Sequence, residues 1–401
     1  MKKRIFLFLS SRPESGGSFQ YAAAMLDALA GLDPKKYSVC AGIYSLDWWW
    51  RVRAKGLWAI PIPRIFYGTI RNLLAKIPFS SIRTHLIAWW DAMEPWRLLA
   101  VLWKADMVII PDQVYRAFPK NIRQVACIHD LMHRYESAFP EVGNPEELRF
   151  RENLYTGIIK HCRAVLVDSP IGKEHVVASY HADPSQIFVL PYLVYNGLKS
   201  ASPVRPKNLP LGIDGGYLFY PAQFWMHKNH RKILEAAAQL APDIPIHCVF
   251  SGDIHKNGYA AFCDCVARLG LENRAHCIGY VAEGELAWLY QHARCMIMPT
   301  FFGPTNIPPL EAMYFGCPVG VSKIYGMPEQ LGDAPLYFDP RSSDELASVI
   351  KKLWLDEHTR RSCIEKGFAV AARHSEVQFA HGILQVIECA FALDRPAAKT
   401  W

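Results

Sequence analysis

The chain lacks long hydrophobic runs, paired cysteine motifs and internal repeats. No uncharged apolar stretch reaches about 18 residues, the length that a membrane-spanning helix needs. The eleven cysteines are scattered with no C-x-x-C pair, so we expect neither a disulfide framework nor a zinc ribbon. The absence of repeats excludes solenoids and propellers. What remains is a globular chain of 401 residues, long enough for two to three domains.

The amino terminus also lacks an apolar segment long enough for export. Its apolar run, Ile5–Leu9, ends at Ser10, which is too early for a signal peptide. We therefore expect a cytoplasmic protein. The 44 lysines and arginines exceed the 37 acids, and the net charge of +7 favours anionic partners.

Short β-branched or aromatic runs alternate with helical stretches, which predicts parallel sheets in an α/β fold. In the first half the predicted strands are Ile5–Leu9, Met107–Ile110, Gln124–Ile128, Ala164–Asp168 and Ile187–Leu190. After a proline-rich stretch, the predicted strands are Tyr217–Pro221, Ile246–Ser251, His276–Ile278, Cys295–Pro299, Pro318–Ser322 and Leu336–Phe338. The proline-rich stretch, Ala201–Pro210, is typical of a linker. We therefore expect two α/β domains, residues 1–203 and 204–375, facing each other across a cleft.

Glycines fill the turn between the first predicted strand and its helix. Gly16 and Gly17 would let a phosphate approach the backbone, and the following helix offers free N–H groups. A tight turn with a serine N-cap also explains these residues. The glycine patterns of dinucleotide and P-loop sites are absent.

A histidine–aspartate pair, His129 and Asp130, follows another predicted strand, where α/β folds keep their ligands. His133 lies four residues after His129, which is the spacing of a metal pair on a helix. A third ligand at a recognisable spacing is missing, so we expect structural histidines and no metal.

Lys228 stands between the predicted strand Tyr217–Pro221 and a predicted helix, Arg231–Leu240. A lysine beyond a strand end, at the start of a helix, is well placed to neutralise a phosphate. A solvated loop that caps the helix is the alternative.

The most specific pattern is the loop of residues 300–307 with the helix after it. Pro308-Pro309 favour the start of a helix whose first turn carries Glu311. A carboxylate there can accept hydrogen bonds from two sugar hydroxyls, or can merely favour the helix dipole. Three backbone amides before the helix are expected to be free and to point at an anion: Thr305, Asn306 and Ile307.

These motifs resemble those of the retaining glycosyltransferases of family 4, which have the GT-B fold. In the second half the similar stretches are Gly279-Tyr280-Val281, Leu286–Tyr290, Pro308–Met313 and Gly316–Val319. The Gly16-Gly17 loop and His129-Asp130 match motifs of the family's acceptor-side domain, and Lys228-Asn229 matches its phosphate lysine. The resemblance covers nearly the full length and implies two Rossmann-like parallel-sheet domains. Residues 204–375 would bind the nucleotide sugar, and a C-terminal helix, 376–401, would cross back to the first domain.

The resemblance also implies roles for single residues. Lys228 would contact the donor diphosphate, Glu311 the ribose hydroxyls, and His129 the reactive face of the sugar. The remaining residues implied to bind the donor are Gly16, Gly17, Gln223, Tyr280, Val281, Gly303, Thr305, Asn306 and Ile307. Two of them depart from the family: Gln223 replaces a basic residue five positions before the lysine, and Gly303 replaces a glutamate eight positions before Glu311.

The expected activity is metal-independent, retaining transfer of a hexose of mannose or deoxyhexose type, with no cofactor. The donor would be a nucleoside-diphosphate sugar, and the acceptor a saccharide, lipid-linked, in cell-surface polysaccharide assembly. The alternatives are a catalytically degenerate GT-B protein that binds nucleotide or scaffolds a membrane assembly, and a GT-B nucleotide-sugar epimerase or phosphorylase. No motif that reads nucleic acid is present, so no nucleic-acid partner is expected.

Segment 48–104 concentrates positive charge and tryptophan. Its nine basic and two acidic residues give 9 − 2 = +7, and it holds eight of the twelve tryptophans. This composition suits peripheral contact with the inner face of the cytoplasmic membrane. The alternative is that the tryptophans belong to the core of the first domain.

Overall fold

A computed structural model of the chain describes residues 2–62, 86, 95–114, 118–213, 216–254 and 256–392. Among these residues the strands form two parallel sheets, of seven and six strands. The predicted α/β fold with two parallel sheets is thereby confirmed. None of the helices among these residues is long and apolar enough to span a membrane.

The first sheet has the strand order β3-β2-β1-β4-β5-β6-β7. Its strands are β1 (Lys3–Leu9), β2 (Tyr37–Ile43), β3 (Trp58–Pro61), β4 (Met107–Ile110), β5 (Arg123–Cys127), β6 (Ala164–Val167) and β7 (Ile187–Val189). The helices of this part are α1 (Gly17–Ala30), α2 (Leu46–Ala54), α3 (Pro95–Leu102), α4 (Met132–Tyr135), α5 (Pro140–Gly143), α6 (Pro145–His161), α7 (Pro170–Tyr180) and α8 (Asn196–Ser200). We call these elements the N-terminal domain.

The second sheet has the order β10-β9-β8-β11-β12-β13. Its strands are β8 (Tyr217–Pro221), β9 (His247–Ser251), β10 (Ala275–Cys277), β11 (Cys295–Met298), β12 (Val319–Ser322) and β13 (Leu336–Phe338). Its helices are α9 (His230–Leu240), α10 (Lys256–Leu269), α11 (Glu283–His292), α12 (Pro308–Tyr314), α13 (Met327–Leu331), α14 (Ser343–Leu355) and α15 (Glu357–Arg373). These elements form the C-terminal domain, and the exact boundaries at residues 203 and 375 stay predictions.

A last helix, α16 (Glu376–Ala392), packs against α1 of the N-terminal domain. The ring of Phe379 meets the ring of Tyr21 edge-on at 5.6 Å, and Lys199 forms a 2.7 Å ion pair with Glu376. The chain thus returns to its first domain, as predicted for a C-terminal helix, while residues 393–401 of the predicted segment lie outside the described part of the chain.

The order of the strands fixes where a ligand crevice lies. In each sheet the chain moves outward in opposite directions from a central pair, β1 and β4 in the first sheet and β8 and β11 in the second. Open parallel sheets bind ligands at the carboxyl ends of such a pair. The Gly16-Gly17 loop follows β1, Lys228 follows β8, and residues 300–307 follow β11, so the predicted site residues occupy both crevices.

The central strands are buried on both faces, and this explains why they were predictable. Met107 to Ile110 and Cys295 to Met298 are all buried, and a continuous apolar run is typical of such strands. β2 and β3 were not predicted. The sequence of β2, YSVCAGI, interrupts its apolar residues with small and polar ones, and that of β3, WAIP, is short and ends in a proline, which an edge strand tolerates.

Candidate active site

The glycine loop of the N-terminal domain lies directly opposite the loop that follows β11. A Cβ placed on Gly17 would be 3.3 Å from Ile307 Cδ1, so the two loops are in van der Waals contact. Gly16 has φ +59°, a conformation that favours glycine, and its Cβ position is open. Helix α1 begins at Gly17, and its N-cap residue, Gly16, has no side chain that could accept bonds from the first amides of the helix.

Glu311 is 2% exposed and is held from both domains. Tyr290 donates a 2.7 Å hydrogen bond to one carboxylate oxygen, and Gln20 Nε2, from α1 of the other domain, donates a 2.8 Å bond to the other. Burial raises the pKa of Glu311, and these two bonds oppose that effect. The carboxylate is therefore fixed at the contact between the domains.

Lys228 ends a short 3₁₀ turn, Met226–Lys228, and its carbonyl accepts a 3.0 Å bond from Tyr220 Oη. Burial lowers the pKa of Lys228 to about 8, and the carboxylates of Asp130 and Glu141 oppose that shift. Both acids belong to the N-terminal domain. The cation of one domain thus lies in the field of two acids of the other.

Glu141, on α5, is the acid that contacts the lysine turn. Its Oε1 accepts hydrogen bonds from the amides of Met226 and His227, while its buried Oε2 has no protein partner within the described residues. The side chain of His227, with the amides of Glu141 itself and Met226, keeps the pKa of Glu141 lowered although burial acts to raise it. The amides that precede Lys228 are thereby occupied by a protein carboxylate.

Gln223 links the two domains instead of supplying charge. Its Nε2 donates a 2.9 Å bond to the carbonyl of Glu14, in the turn before the glycine loop. Its Oε1 accepts a 2.7 Å bond from Trp225 Nε1. Both ends of the amide are engaged, which a basic side chain cannot reproduce because it has no acceptor.

The donor loop, as we call residues 300–307, differs from the sequence expectation in one respect. The amide of Thr305 donates a 3.0 Å bond to Asp168 Oδ2, and the amide of Asn306 donates a 3.1 Å bond to Gln330 Oε1. The expectation that these two amides are free is therefore wrong for this structure, because buried carbonyl and carboxylate oxygens satisfy them. Ile307 is buried and faces Gly17.

His129 lies at the end of β5 with both ring nitrogens engaged. Its Nε2 is 3.0 Å from the carbonyl of Pro111, and its Nδ1 is 3.1 Å from Tyr192 Oη. The carbonyl requires a proton on Nε2, so Nδ1 accepts from the tyrosine hydroxyl. Burial lowers the pKa of His129, which keeps the ring neutral at physiological pH.

His133 has separate partners. Its Nε2 is 2.9 Å from Glu152 Oε1, and its ring is buried beside Tyr155. In the described part of the chain no group of three or more His, Cys, Asp or Glu side chains is arranged to hold a metal ion.

Tyr280 and Val281 follow β10 on the same edge of the second sheet. Tyr280 is 57% exposed, and its pKa is raised by partial burial and by the nearby carboxylate of Glu14. Gly279 before it has φ +74°, which turns the chain at the strand end. These residues border the cleft beside the turn that precedes the glycine loop.

Three residues that the sequence analysis did not select reach across the cleft: Gln20, Glu141 and Asp168. Asp168 is the residue that a strand-end rule would have found, because it directly follows β6. Gln20 is in the first turns of α1, and Glu141 is in a four-residue helix, and neither has a sequence signal of its own.

The chain is similar in sequence to known glycosyltransferases. Residues 206–370 match the family described as "Glycosyl transferases group 1". The chain is 24% identical over 347 residues to the O-antigen chain mannosyltransferase RfbU of Salmonella typhimurium, covering 86% of this chain and 89% of that protein. It is 26% identical over 264 residues to the O-antigen chain mannosyltransferase B of Escherichia coli, covering 63% and 67%.

Two solved structures are similar along almost the whole chain. Anabaena HepE in complex with UDP and glucose superposes with a TM-score of 0.69 at 17% identity, covering 96% of this chain and 99% of that one. WaaG, a glycosyltransferase involved in lipopolysaccharide biosynthesis, superposes with a TM-score of 0.66 at 14% identity, covering 96% and 99%. The fold is therefore GT-B, and the matched domain together with the relatives makes this chain a glycosyltransferase.

Proposed function

We propose that the protein is a metal-independent, retaining glycosyltransferase of family 4 that moves a hexose from a nucleoside-diphosphate sugar to a saccharide acceptor. The observation that supports this most is the meeting of the glycine loop with the donor loop, Gly17 against Ile307, beside Glu311. Lys228 lies at the second crevice of the same cleft. A nucleotide sugar in this cleft would contact residues of both domains.

The leaving diphosphate is the group that this site is suited to stabilise. Negative charge develops on it as the glycosidic bond breaks, and a cation placed in advance lowers the barrier. Lys228, with a pKa of about 8, is mainly protonated at neutral pH. The first amides of α1 would assist it, so no metal ion is required in the proposed reaction.

Glu311 would hold the ribose hydroxyls of the donor. Each carboxylate oxygen already accepts one bond, from Tyr290 or Gln20, and retains capacity for another. His129 would lie near the reactive face of the sugar as a neutral orienting group, because both of its ring nitrogens are engaged. No protein nucleophile is assigned.

For the sugar we propose mannose, carried on GDP, with a deoxyhexose on dTDP as the second choice. The mannosyltransferase relatives support the first choice. Their association with O-antigen chains also supports a lipid-linked saccharide acceptor in cell-surface polysaccharide assembly. A degenerate relative is less well supported, since Gln223 is hydrogen-bonded at both ends of its amide and the Cβ position of Gly303 is filled by Thr305 and Asn306, so neither residue leaves a gap.

A lipid-linked acceptor would bring the protein to the inner face of the membrane. Trp50 and Trp58 are 70% and 73% exposed, and the Arg53 guanidinium lies 5.9 Å from the ring centre of Trp58. Exposed tryptophan with arginine suits an anionic headgroup layer. Trp48, in contrast, is fully buried and belongs to the core. Residues 63–85 and 87–94 of the predicted segment lie outside the described part of the chain.

A panel of nucleotides tests the proposed function. Thermal unfolding is measured with GDP, UDP and dTDP, and with GDP-mannose and UDP-glucose. A ligand at about 100 times its dissociation constant stabilises the fold by about 2.7 kcal/mol, an easily measured shift. We expect the largest shift with GDP and GDP-mannose and its loss in Lys228→Ala. No shift with any nucleotide would contradict the proposal.

A further inference from the structure

Asp168 is a buried carboxylate of the N-terminal domain that contacts the donor loop of the other domain. It directly follows β6 and is 3% exposed. Its Oδ2 accepts a 3.0 Å bond from the amide of Thr305 and a second, shorter bond from the Thr305 hydroxyl. Its Oδ1 accepts a 3.1 Å bond from Ser169 Oγ. In the part of the chain that the structure describes, these hydroxyl and amide donors hold the carboxylate, and no salt bridge does.

Burying a carboxylate without a cation disfavours its charged form, and the raised pKa of Asp168 shows this effect. Burial raises the pKa of Asp168 to about 7, although the bonds from Thr305 and Ser169 act to lower it. An asparagine at this position could accept both bonds from Thr305 but would lose the bond from Ser169, because its amide nitrogen is a donor. The two bonds to Thr305, which is 6% exposed and lies in the donor loop, are what link Asp168 to the other domain.

The donor loop has no room for a carboxylate of its own at Gly303. Gly303 has φ +95°, and a Cβ there would lie 2.7 Å from the Thr305 carbonyl and 2.8 Å from Asn306 Nδ2. Asn306 Nδ2 in turn donates a 3.1 Å bond to the carbonyl of Phe302, which closes the loop on itself. A larger side chain at residue 303 requires the loop to rearrange.

We propose that Asp168 positions the donor loop from the opposite domain, through its two bonds to Thr305. This inference rests on the proposed function and deepens it. Asp168 fixes Thr305 and, through the short chain that follows, holds Ile307 against Gly17. Because the bond crosses the cleft, the loop takes its donor-binding form only when the domains are together.

The neighbouring packing supports a defined geometry here. The Cβ position of Gly326 lies 2.7 Å from the Pro304 carbonyl, 2.9 Å from Ile171 Cγ2 on α7 and 3.2 Å from Thr305 Cγ2. Gly326 also donates a 2.8 Å bond to Pro304. Thr305 is thus enclosed by α7 of one domain and by the turn before α13 of the other, and Asp168 supplies its polar anchor.

The test compares Asp168→Ala, Asp168→Asn and Thr305→Val. Binding of GDP and GDP-mannose is measured by calorimetry, and release of GDP from GDP-mannose gives KM and kcat. Asp168→Ala and Thr305→Val should each weaken binding of GDP-mannose about tenfold, with kcat within about threefold of wild type, as expected for lost ground-state positioning. The double variant, Asp168→Ala with Thr305→Val, should bind GDP-mannose no more weakly than the weaker-binding of the two single variants, since the two residues share one interaction.

Asp168→Asn is the conservative variant, because its amide oxygen can accept both bonds from Thr305. It should restore most of the affinity for GDP-mannose, and a purely structural role would not produce this rescue. If Asp168→Ala does not fold, Asp168→Asn and Thr305→Val carry the test. The matched control is Glu136→Ala, which removes a different contact between the domains, the 2.7 Å bond from Tyr325 Oη. It should lower the melting temperature without changing donor affinity.

Three results would overturn the inference. Donor affinity unchanged in folded Asp168→Ala would show that the loop needs no anchor. Tighter binding would show that Asp168 competes with the donor for the Thr305 amide. A loss confined to kcat would place Asp168 at the reacting atoms. Lys228→Ala distinguishes failure of the inference on Asp168 from failure of the proposed function. If Lys228→Ala binds GDP as tightly as wild type, the proposed function fails. If Lys228→Ala loses GDP binding while Asp168→Ala does not, the proposed function stands and only the inference on Asp168 fails.

Discussion

The two sides of the cleft contribute opposite chemistry. The C-terminal side supplies the cation of Lys228 and the amides of the donor loop, while the N-terminal side faces them with the carboxylates of Asp130, Glu141 and Asp168. Glu311 is the exception, and a neutral amide, Gln20, meets it. Each domain thus provides hydrogen-bond partners for buried polar groups of the other domain. The site is therefore complete only where the domains meet.

The largest effect on donor use is expected from the C-terminal side. Glu311→Ala and Lys228→Ala should each lower kcat/KM for the donor by an amount equivalent to about 2–4 kcal/mol of transition-state stabilisation, because each would remove charged hydrogen bonds to the donor. Gln20→Ala, which removes only the partner of Glu311 from the opposite side, should cost about 1 kcal/mol. Steady-state kinetics on folded variants measures the difference. Equal losses for Gln20→Ala and Glu311→Ala would break the distinction between the two sides.

The next prediction concerns stability and membrane binding, in which the buried and the exposed tryptophans of segment 48–104 should differ. Trp48 is fully buried against Phe19 and donates a 2.7 Å bond to the Ser11 carbonyl, so Trp48→Ala should lower the free energy of unfolding by about 3–5 kcal/mol. Trp50→Ala and Trp58→Ala should change it by about 0.5 kcal/mol or less. These two substitutions should instead weaken co-sedimentation with anionic vesicles at low salt. If the wild-type protein does not bind the vesicles, the two exposed tryptophans do not have the proposed role.

His129→Ala should lower turnover more than nucleotide affinity, by about tenfold in kcat. His129 belongs to the N-terminal domain and would meet the sugar end of the proposed donor, while the C-terminal domain would hold the nucleotide. EDTA should leave activity unchanged. Loss of activity on chelation with recovery on adding zinc would instead make His129 and His133 a metal pair.

The smallest effect is the pH dependence of donor use. The folded-state pKa of Lys228 lies at about 8, below the usual lysine value, so the ammonium is present below that pH and is lost as the pH rises through it. We expect kcat/KM for the donor to decline above pH 8, by at most about tenfold per pH unit. Lys228→Arg keeps its charge and should remove this alkaline decline. A decline that persists in Lys228→Arg would assign it to another group.

The C-terminal domain was the more predictable of the two. Its strands at Tyr217–Pro221 and Leu336–Phe338 lie where the apolar runs placed them, because each is a short, continuous β-prone run between turn residues. Glu311 follows two prolines that set its helix, so a local pattern identified it. Site residues at the strand ends and helix starts of one domain can therefore be recognised from patterns of neighbouring residues in the sequence.

The N-terminal contribution was less predictable because it depends on contacts distant in sequence. Asp168 and Thr305 are 137 residues apart, and Gln20 and Glu311 are 291 apart. No spacing rule connects such pairs. Distance in sequence also explains the wrong expectation of free amides at Thr305 and Asn306, since their partners, Asp168 after β6 and Gln330 on α13, are not revealed by the loop sequence.

The most direct measurement of the central claim follows radiolabelled mannose from GDP-mannose. Wild-type protein, Glu311→Ala and Asp168→Ala are incubated with the labelled donor and a lipid-linked saccharide fraction. The account predicts label in the lipid fraction with wild type, about 100-fold less with Glu311→Ala, and about tenfold less with Asp168→Ala at low donor concentration. Label transfer that is equal in all three proteins would contradict a donor site formed where the two domains meet.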